Sequence, residues 1–299
     1  MLAATIVFAA MAVLVKIVSA EHAPFEIVFW RGAVGAAVLA AWARWQAVPL
    51  ATAHPRDHLW RAAVGTTAMV CWFYSLAHLP FATSMTLNYT SPIFIAAFLG
   101  FTVWRAGQPQ AHRVWLYAAI VASFAGLLLI LRPSFARDDE LALIVGVLSG
   151  MLGATAYLQV RKLGQFGEPE LRTVFYFSAG NVAVGAAGAA VQGWRVPDMR
   201  SALLLVAIGV LASIGQMFMT RAFGKGRTLL AANLQYSGPI FALLIGWWMF
   251  GERIGAFEIA GIALVTASGI AATWITATTP RPPPLSPPAA RPHDPRMHR

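Results

Sequence analysis

Ten runs of predominantly apolar residues, each close to the length of a membrane-crossing helix, occupy almost the whole chain: 2–19, 25–43, 60–77, 82–103, 115–131, 141–160, 173–191, 202–220, 229–250 and 257–275. A bilayer core about 30 Å thick takes about 20 residues of helix. Lipid offers backbone N–H and C=O groups no partner, so each run is expected to be a helix rather than a strand. Composition agrees, with 58% hydrophobic and only 11% charged residues against the roughly 25% charged of a soluble domain. The expected fold is an all-α polytopic membrane protein with ten transmembrane helices. Residues 280–299, with eight prolines and four arginines, cannot build a packed element and read as a disordered, solvated tail.

Charge placement predicts orientation. With the amino terminus inside, fifteen of the 22 Lys and Arg fall in cytoplasmic segments, among them Arg44, Arg61, Arg105, Lys162 and Arg221, as the positive-inside bias requires. Both termini are therefore expected in the cytoplasm. The net charge of +10 belongs to those segments and implies no nucleic-acid partner. The first run starts one residue after Met1 without the basic flank of a secretory signal and is expected to be retained. Cys71, the single cysteine, gives neither a disulfide framework nor a thiolate metal site within one chain. No Asp lies in a long apolar run, no His-Glu-x-x-His motif occurs, and His78 has no second histidine nearby. Nothing points to an intramembrane enzyme, a metal or a cofactor.

Runs four and nine carry one motif twice: LNYTSPIF at Leu87 to Phe94 and LQYSGPIF at Leu234 to Phe241, identical at five of eight positions. Gly126 in run five answers to Gly269 in run ten. The unit is five helices used twice, with halves expected at 1–138 and 139–279. Five is odd, so the second copy enters the membrane from the opposite side, giving an inverted repeat. Many secondary transporters share this layout, with the substrate site near the midplane between the repeats. Two like bundles of opposite sense offer similar conformations facing either side, which alternating access requires.

The repeated proline sets where a site is expected. Proline has no N–H, so Pro92 frees the carbonyl of Asn88 and Pro239 that of Gln235. Such freed groups are tolerated in a membrane beside a cavity, another helix or a water. Asn88, Tyr89, Gln235 and Tyr236 are the candidate substrate contacts, with Pro92 and Pro239 setting helix geometry. The plainer alternative has the prolines bending helices for packing and the amides capping carbonyls. Trp72 and Tyr74 are further candidates, although Trp72, Phe73 and Tyr74 are consecutive and cannot all face one cavity. Intramembrane ions are costly. Inside the runs lie Lys16, Glu26, Arg31 and Glu258, besides Arg61, the second residue of run three, which is counted with the cytoplasmic charges. Lys16 or Arg31 is placed to attract a substrate carboxylate; alternatively Lys16, Glu26 and Arg31 form a local ion cluster. Gly146, Gly150 and Gly153 permit close helix contact. No Asp or Glu lies deep in a run, which disfavours a cationic substrate held by charge pairing.

Two five-helix halves, a lysine late in helix one (Lys16), an arginine early in helix two (Arg31), mid-helix prolines in helices four and nine, and Gly251-Glu252-Arg253 closing helix nine resemble the EamA-type members of the drug/metabolite transporter superfamily. The resemblance covers about residues 1–275. It implies an exporter of small metabolites in a bacterial inner membrane, with amino acids and related compounds among its substrates. Bacterial exporters of aromatic amino acids are similar in size and layout. Two departures stand out. The first half has Trp104-Arg105-Ala106-Gly107 where many relatives repeat a Gly-Glu pair, and helix one lacks the embedded glutamate of the small multidrug transporters. The expectation is a monomeric ten-helix carrier exporting amino acids, aromatic ones first, with a multidrug exporter as the alternative and a channel as a further rival.

Overall fold

The computed structural model describes residues 1–105, 139–224, 237–252 and 255–278, with isolated positions within 115–129 and Ala231, Leu234 and Gln235. All regular structure among them is helical: α1 (Leu2–Val18), α2 (Pro24–Trp45), α3 (Pro55–His78), α4 (Phe81–Asn88), α5 (Ser91–Arg105), α6 (Glu140–Gln165), α7 (Glu170–Gln192), α8 (Met199–Gly224), α9 (Ser237–Phe250) and α10 (Ala256–Thr278). By length and composition, α2, α6, α7 and α8 suffice to cross a membrane, and α1 and α9 are shorter apolar helices. Ile144, Leu203, Leu244, Trp247 and Trp248 are exposed on the outside of the bundle. Burying a large apolar side chain is worth about 1.5–3 kcal/mol relative to leaving it in water, so this surface suits hydrocarbon. Most of run five, Tyr236, Arg253 and residues 280–299 lie outside the described residues.

The most extensive helix pairs join the early part of the chain to the late part: α2 on α7, α3 on α6 and α1 on α8. Small residues set the α2–α7 approach. A Cβ added at Gly185 would lie 2.5 Å from the Phe29 backbone nitrogen, and one at Gly32 would lie 2.8 Å from Asn181 Cβ. In lipid the helices gain nothing from hiding apolar surface, so this fit and interhelical hydrogen bonds hold them together. Thr66 Oγ1 donates one such bond to Asn181 Oδ1 at 2.7 Å, tying α3 to α7.

Run four is not one helix. It ends as α4 at Asn88 and restarts as α5 at Ser91, with Tyr89 and Thr90 in a turn. Pro92 supplies no N–H to the Asn88 carbonyl, which instead accepts from Ser91 Oγ at 2.7 Å. Thr90 Oγ1 satisfies the Leu87 carbonyl at 2.6 Å. The glycine face of α6 receives the break: a Cβ at Gly150 would lie 2.3 Å from Thr90 Oγ1, and one at Gly146 2.6 Å from Leu87 Cδ1. In the second motif copy Ser237, the counterpart of Thr90, donates to the Leu234 carbonyl, the counterpart of Leu87, at 2.8 Å.

Two charges brace the corner where α3 turns into α4. Lys16 Nζ donates to the carbonyls of Leu76 and Leu79 at 2.8 and 2.7 Å, the last acceptors of α3. The Glu252 carboxylate accepts from the backbone N–H groups of Phe81 and Ala82, the first donors of α4. Each charge sits at the helix end whose dipole it complements. Gly251, at φ 61°, provides the left-handed turn that folds Glu252 back toward α4.

Candidate functional site

A cavity of about 660 Å³, its open mouth included, is lined by residues of α1, α2, α3, α6, α7 and α8 together with Asn88, Tyr89 and Gln235. It lies on the Met1 side of the bundle, since Met1 and Thr5 from the start of α1 and Arg61 and Gly65 from the start of α3 line it. Beyond it, toward the α3–α4 corner, the bundle is closed. Phe73, Leu76, Phe81 and Met85 are fully buried, and the Phe81 and Phe250 rings stack with centroids 5.2 Å apart.

Two arginines dominate the interior. Arg31 on α2 and Arg61 on α3 are 2% and 3% exposed, and their guanidinium carbons lie 5.2 and 4.1 Å from the centroid of the Phe177 ring on α7. The ring face offers partial compensation to a desolvated cation. Arg61 lies back along its own helix, where a Cβ at Gly65 would come within 1.9 Å of Nη1; the missing side chain makes the room. Nε of Arg31 and Nε and Nη1 of Arg61 are buried without a hydrogen-bond partner. So are the Oε1 atoms of Gln216 and Gln235 and the Trp72 indole nitrogen. Among the described residues no Asp or Glu lines the cavity. Orphaned buried polar atoms cost about 1–3 kcal/mol each, and these belong to residues that line one space.

Of the candidates read from the sequence, Asn88, Tyr89, Gln235, Trp72 and Arg31 line this cavity. Tyr89 packs on the second motif copy, since a Cβ at Gly238 would lie 2.3 Å from its ring. Asn88 Nδ2 donates to Ser149 Oγ at 3.4 Å, a long bond. Pro92 and Pro239 are buried in the first turns of α5 and α9. Tyr236 lies outside the described residues. Two candidates stand elsewhere. Tyr74, two residues beyond Trp72 and so on another helix face, stacks on His78 at 4.2 Å and packs beside Leu79 and Leu143. Lys16 spends its donors on the end of α3 and is absent from the cavity lining. Glu26 is paired locally, with His22 at 3.1 Å, so Lys16, Glu26 and Arg31 form no common cluster.

Arg61 needs the opposite correction. Its place at the start of a run reads as a cytoplasmic charge, yet its side chain turns inward over Gly65. Gln216 and Tyr157 also line the site and were missed; the one legible signal was a lone amide inside the apolar run 202–220.

The EamA-like transporter family model matches residues 1–132 and again residues 140–274. The pseudopaline exporter CntI of Pseudomonas aeruginosa is 33% identical over 276 residues, covering 90% of this chain and 92% of its own. A riboflavin transporter of Rhizobium johnstonii is 28% identical over 225 residues, covering 73% of this chain and 70% of its own. A solved protein crystal structure superposes with a TM-score of 0.65 at 18% identity, covering 92% of this chain and 99% of that one, a likeness of fold. With a membrane-suited helical bundle, an internal polar cavity and matches to the model over both parts of its sequence, the chain belongs to the EamA-like transporter family.

Proposed function

We propose that this protein is a secondary carrier that exports a small carboxylate-bearing metabolite, an amino acid or a related compound, across the bacterial inner membrane by alternating access. One observation carries the reading: residues from both proposed halves, 1–138 and 139–279, wall a single polar cavity that is open toward Met1 and shut toward the α3–α4 corner. That is the form expected of one end state of an inverted pair of five-helix bundles. The repeated family match and the same hydroxyl-to-carbonyl bond in both motif copies support the pairing. With both termini cytoplasmic, the open side faces the cytoplasm, where an exporter loads.

Asn88, Tyr89, Gln235 and Tyr236 are the proposed substrate contacts, joined by Arg31, Arg61 and Trp72. Guanidinium groups suit a carboxylate, and the rings of Trp72, Tyr89 and Phe177 suit an aromatic side chain. The relatives' names specify chemically distinct cargoes, pseudopaline and riboflavin, so membership sets transport and leaves cargo to the cavity. A cationic drug is disfavoured by the two buried arginines. Purified protein in proteoliposomes is expected to give saturable counterflow of amino acids, lost in Asn88→Leu and Gln235→Leu proteins that insert normally. Single-channel currents in place of saturable flux would overturn the carrier reading.

A further inference from the structure

The carrier reading asks for one carboxylate, but the cavity holds two buried guanidinium groups and no acidic side chain among the described residues. Both lie against one ring, at 5.2 and 4.1 Å from its centroid, within reach of a single small molecule. A monocarboxylate brings one negative charge to two buried guanidinium groups, for which the Phe177 ring otherwise gives partial compensation; a second carboxylate offsets the other.

Resting on the carrier reading, we infer that the substrate is a dicarboxylate, with one carboxylate for Arg31 and one for Arg61. The ligand's two carboxylates each find a guanidinium, so neither buried arginine is left without a counter-charge. An aromatic or aliphatic substituent on the ligand has the Trp72 and Tyr89 rings to lie against. Gly65 is part of the specificity, since any side chain there displaces the Arg61 guanidinium.

The test uses the full chain, in nanodiscs for binding by thermal shift and in proteoliposomes for counterflow. L-glutamate and N-benzyliminodiacetate serve as dicarboxylate probes, with L-glutamine and L-phenylalanine as monocarboxylate controls. The dicarboxylates are expected to bind and exchange about tenfold or more tighter than the controls, the usual worth of a charge-assisted hydrogen bond. Arg31→Gln and Arg61→Gln should each abolish that preference. Arg61→Lys, which keeps the charge without the planar fork and disturbs the fold less, should keep part of it. If the controls match the dicarboxylates, or the glutamine variants retain the preference, this inference falls while the carrier reading stands. Selective binding without counterflow supports this inference and overturns the carrier reading. Binding by none of the four probes overturns the inference.

Discussion

At the scale of single residues, intramembrane charge divides into two uses. Lys16 and Glu252 are spent on helix ends, whereas Arg31 and Arg61 keep donors unspent around a cavity. Sequence position does not separate the two, because a long side chain within reach of a helix terminus and one within reach of a cavity look alike in a run of letters. Lys16→Met leaves the Leu76 and Leu79 carbonyls without their donor and is expected to destabilise the protein by about 1–3 kcal/mol, read as a lower thermal unfolding midpoint in detergent. Before the apolar run of α3, His58 pairs with Glu168 at 3.3 Å. Glu168 also accepts from Thr52 at 2.7 Å and from Arg172 at 2.8 Å. Burial pushes the Glu168 carboxyl up, but these hydrogen bonds outweigh it and hold the group below 4.5. Burial pushes the His58 imidazole below 6.5, against the pull of Glu168. Both groups take up protons less readily folded than unfolded, so the stability they contribute at neutral pH is lost on acidification. His58 loses it as pH falls below 6.5, and Glu168 below 4.5. The unfolding midpoint should drop between pH of about 7 and 5, and His58→Asn should flatten that drop.

At the scale of elements, the broken fourth run is the feature from which the site is built. Pro92 made a disturbance legible from sequence, and the freed Asn88 carbonyl follows from ring chemistry alone. The position of the break and its support were not legible, since they depend on α6 presenting Gly146, Gly150 and Gly153 to the turn. Gly153 completes that face, where a Cβ would lie 3.0 Å from Ser91 Oγ. Gly150→Leu forces bulk into Thr90 and the Leu87 carbonyl and is expected to cost about 1–3 kcal/mol or more as overpacking. Thermal unfolding measures the loss, and counterflow should fall with it because Asn88 and Tyr89 move. Gly167→Ala, where a Cβ would meet nothing within 4 Å, is a control for mutating a glycine away from that contact. Its φ of 75° predicts a modest backbone penalty with transport retained.

At the scale of the whole molecule, the proposed mechanism requires the shut side to open. Phe81 on α4 and Phe250 on α9 meet there across the two proposed halves. In a Cys71→Ser background, cysteines replacing Phe81 and Phe250 should cross-link on oxidation and arrest counterflow, with reduction restoring it. Undiminished flux through the cross-linked protein would place the moving contact elsewhere. Cysteine labelling is expected to find both chain ends on the cytoplasmic face, and ends on opposite faces would remove the inverted pairing.

Apolar runs of membrane length dictate helices because the bilayer leaves backbone groups no other partner, and that much was readable from the amino-acid sequence by itself, along with the repeated proline motif and the family it resembles. Which polar side chains meet was decided by tertiary structure. Arg31, Arg61 and Gln216 come from α2, α3 and α8 and Gln235 from the stretch before α9, and the way these elements cross brings all four to the lining of one cavity. Side-chain direction in a helix bundle is set by neighbours, so Tyr74 and Lys16 turned away from the cavity while Arg61 turned into it.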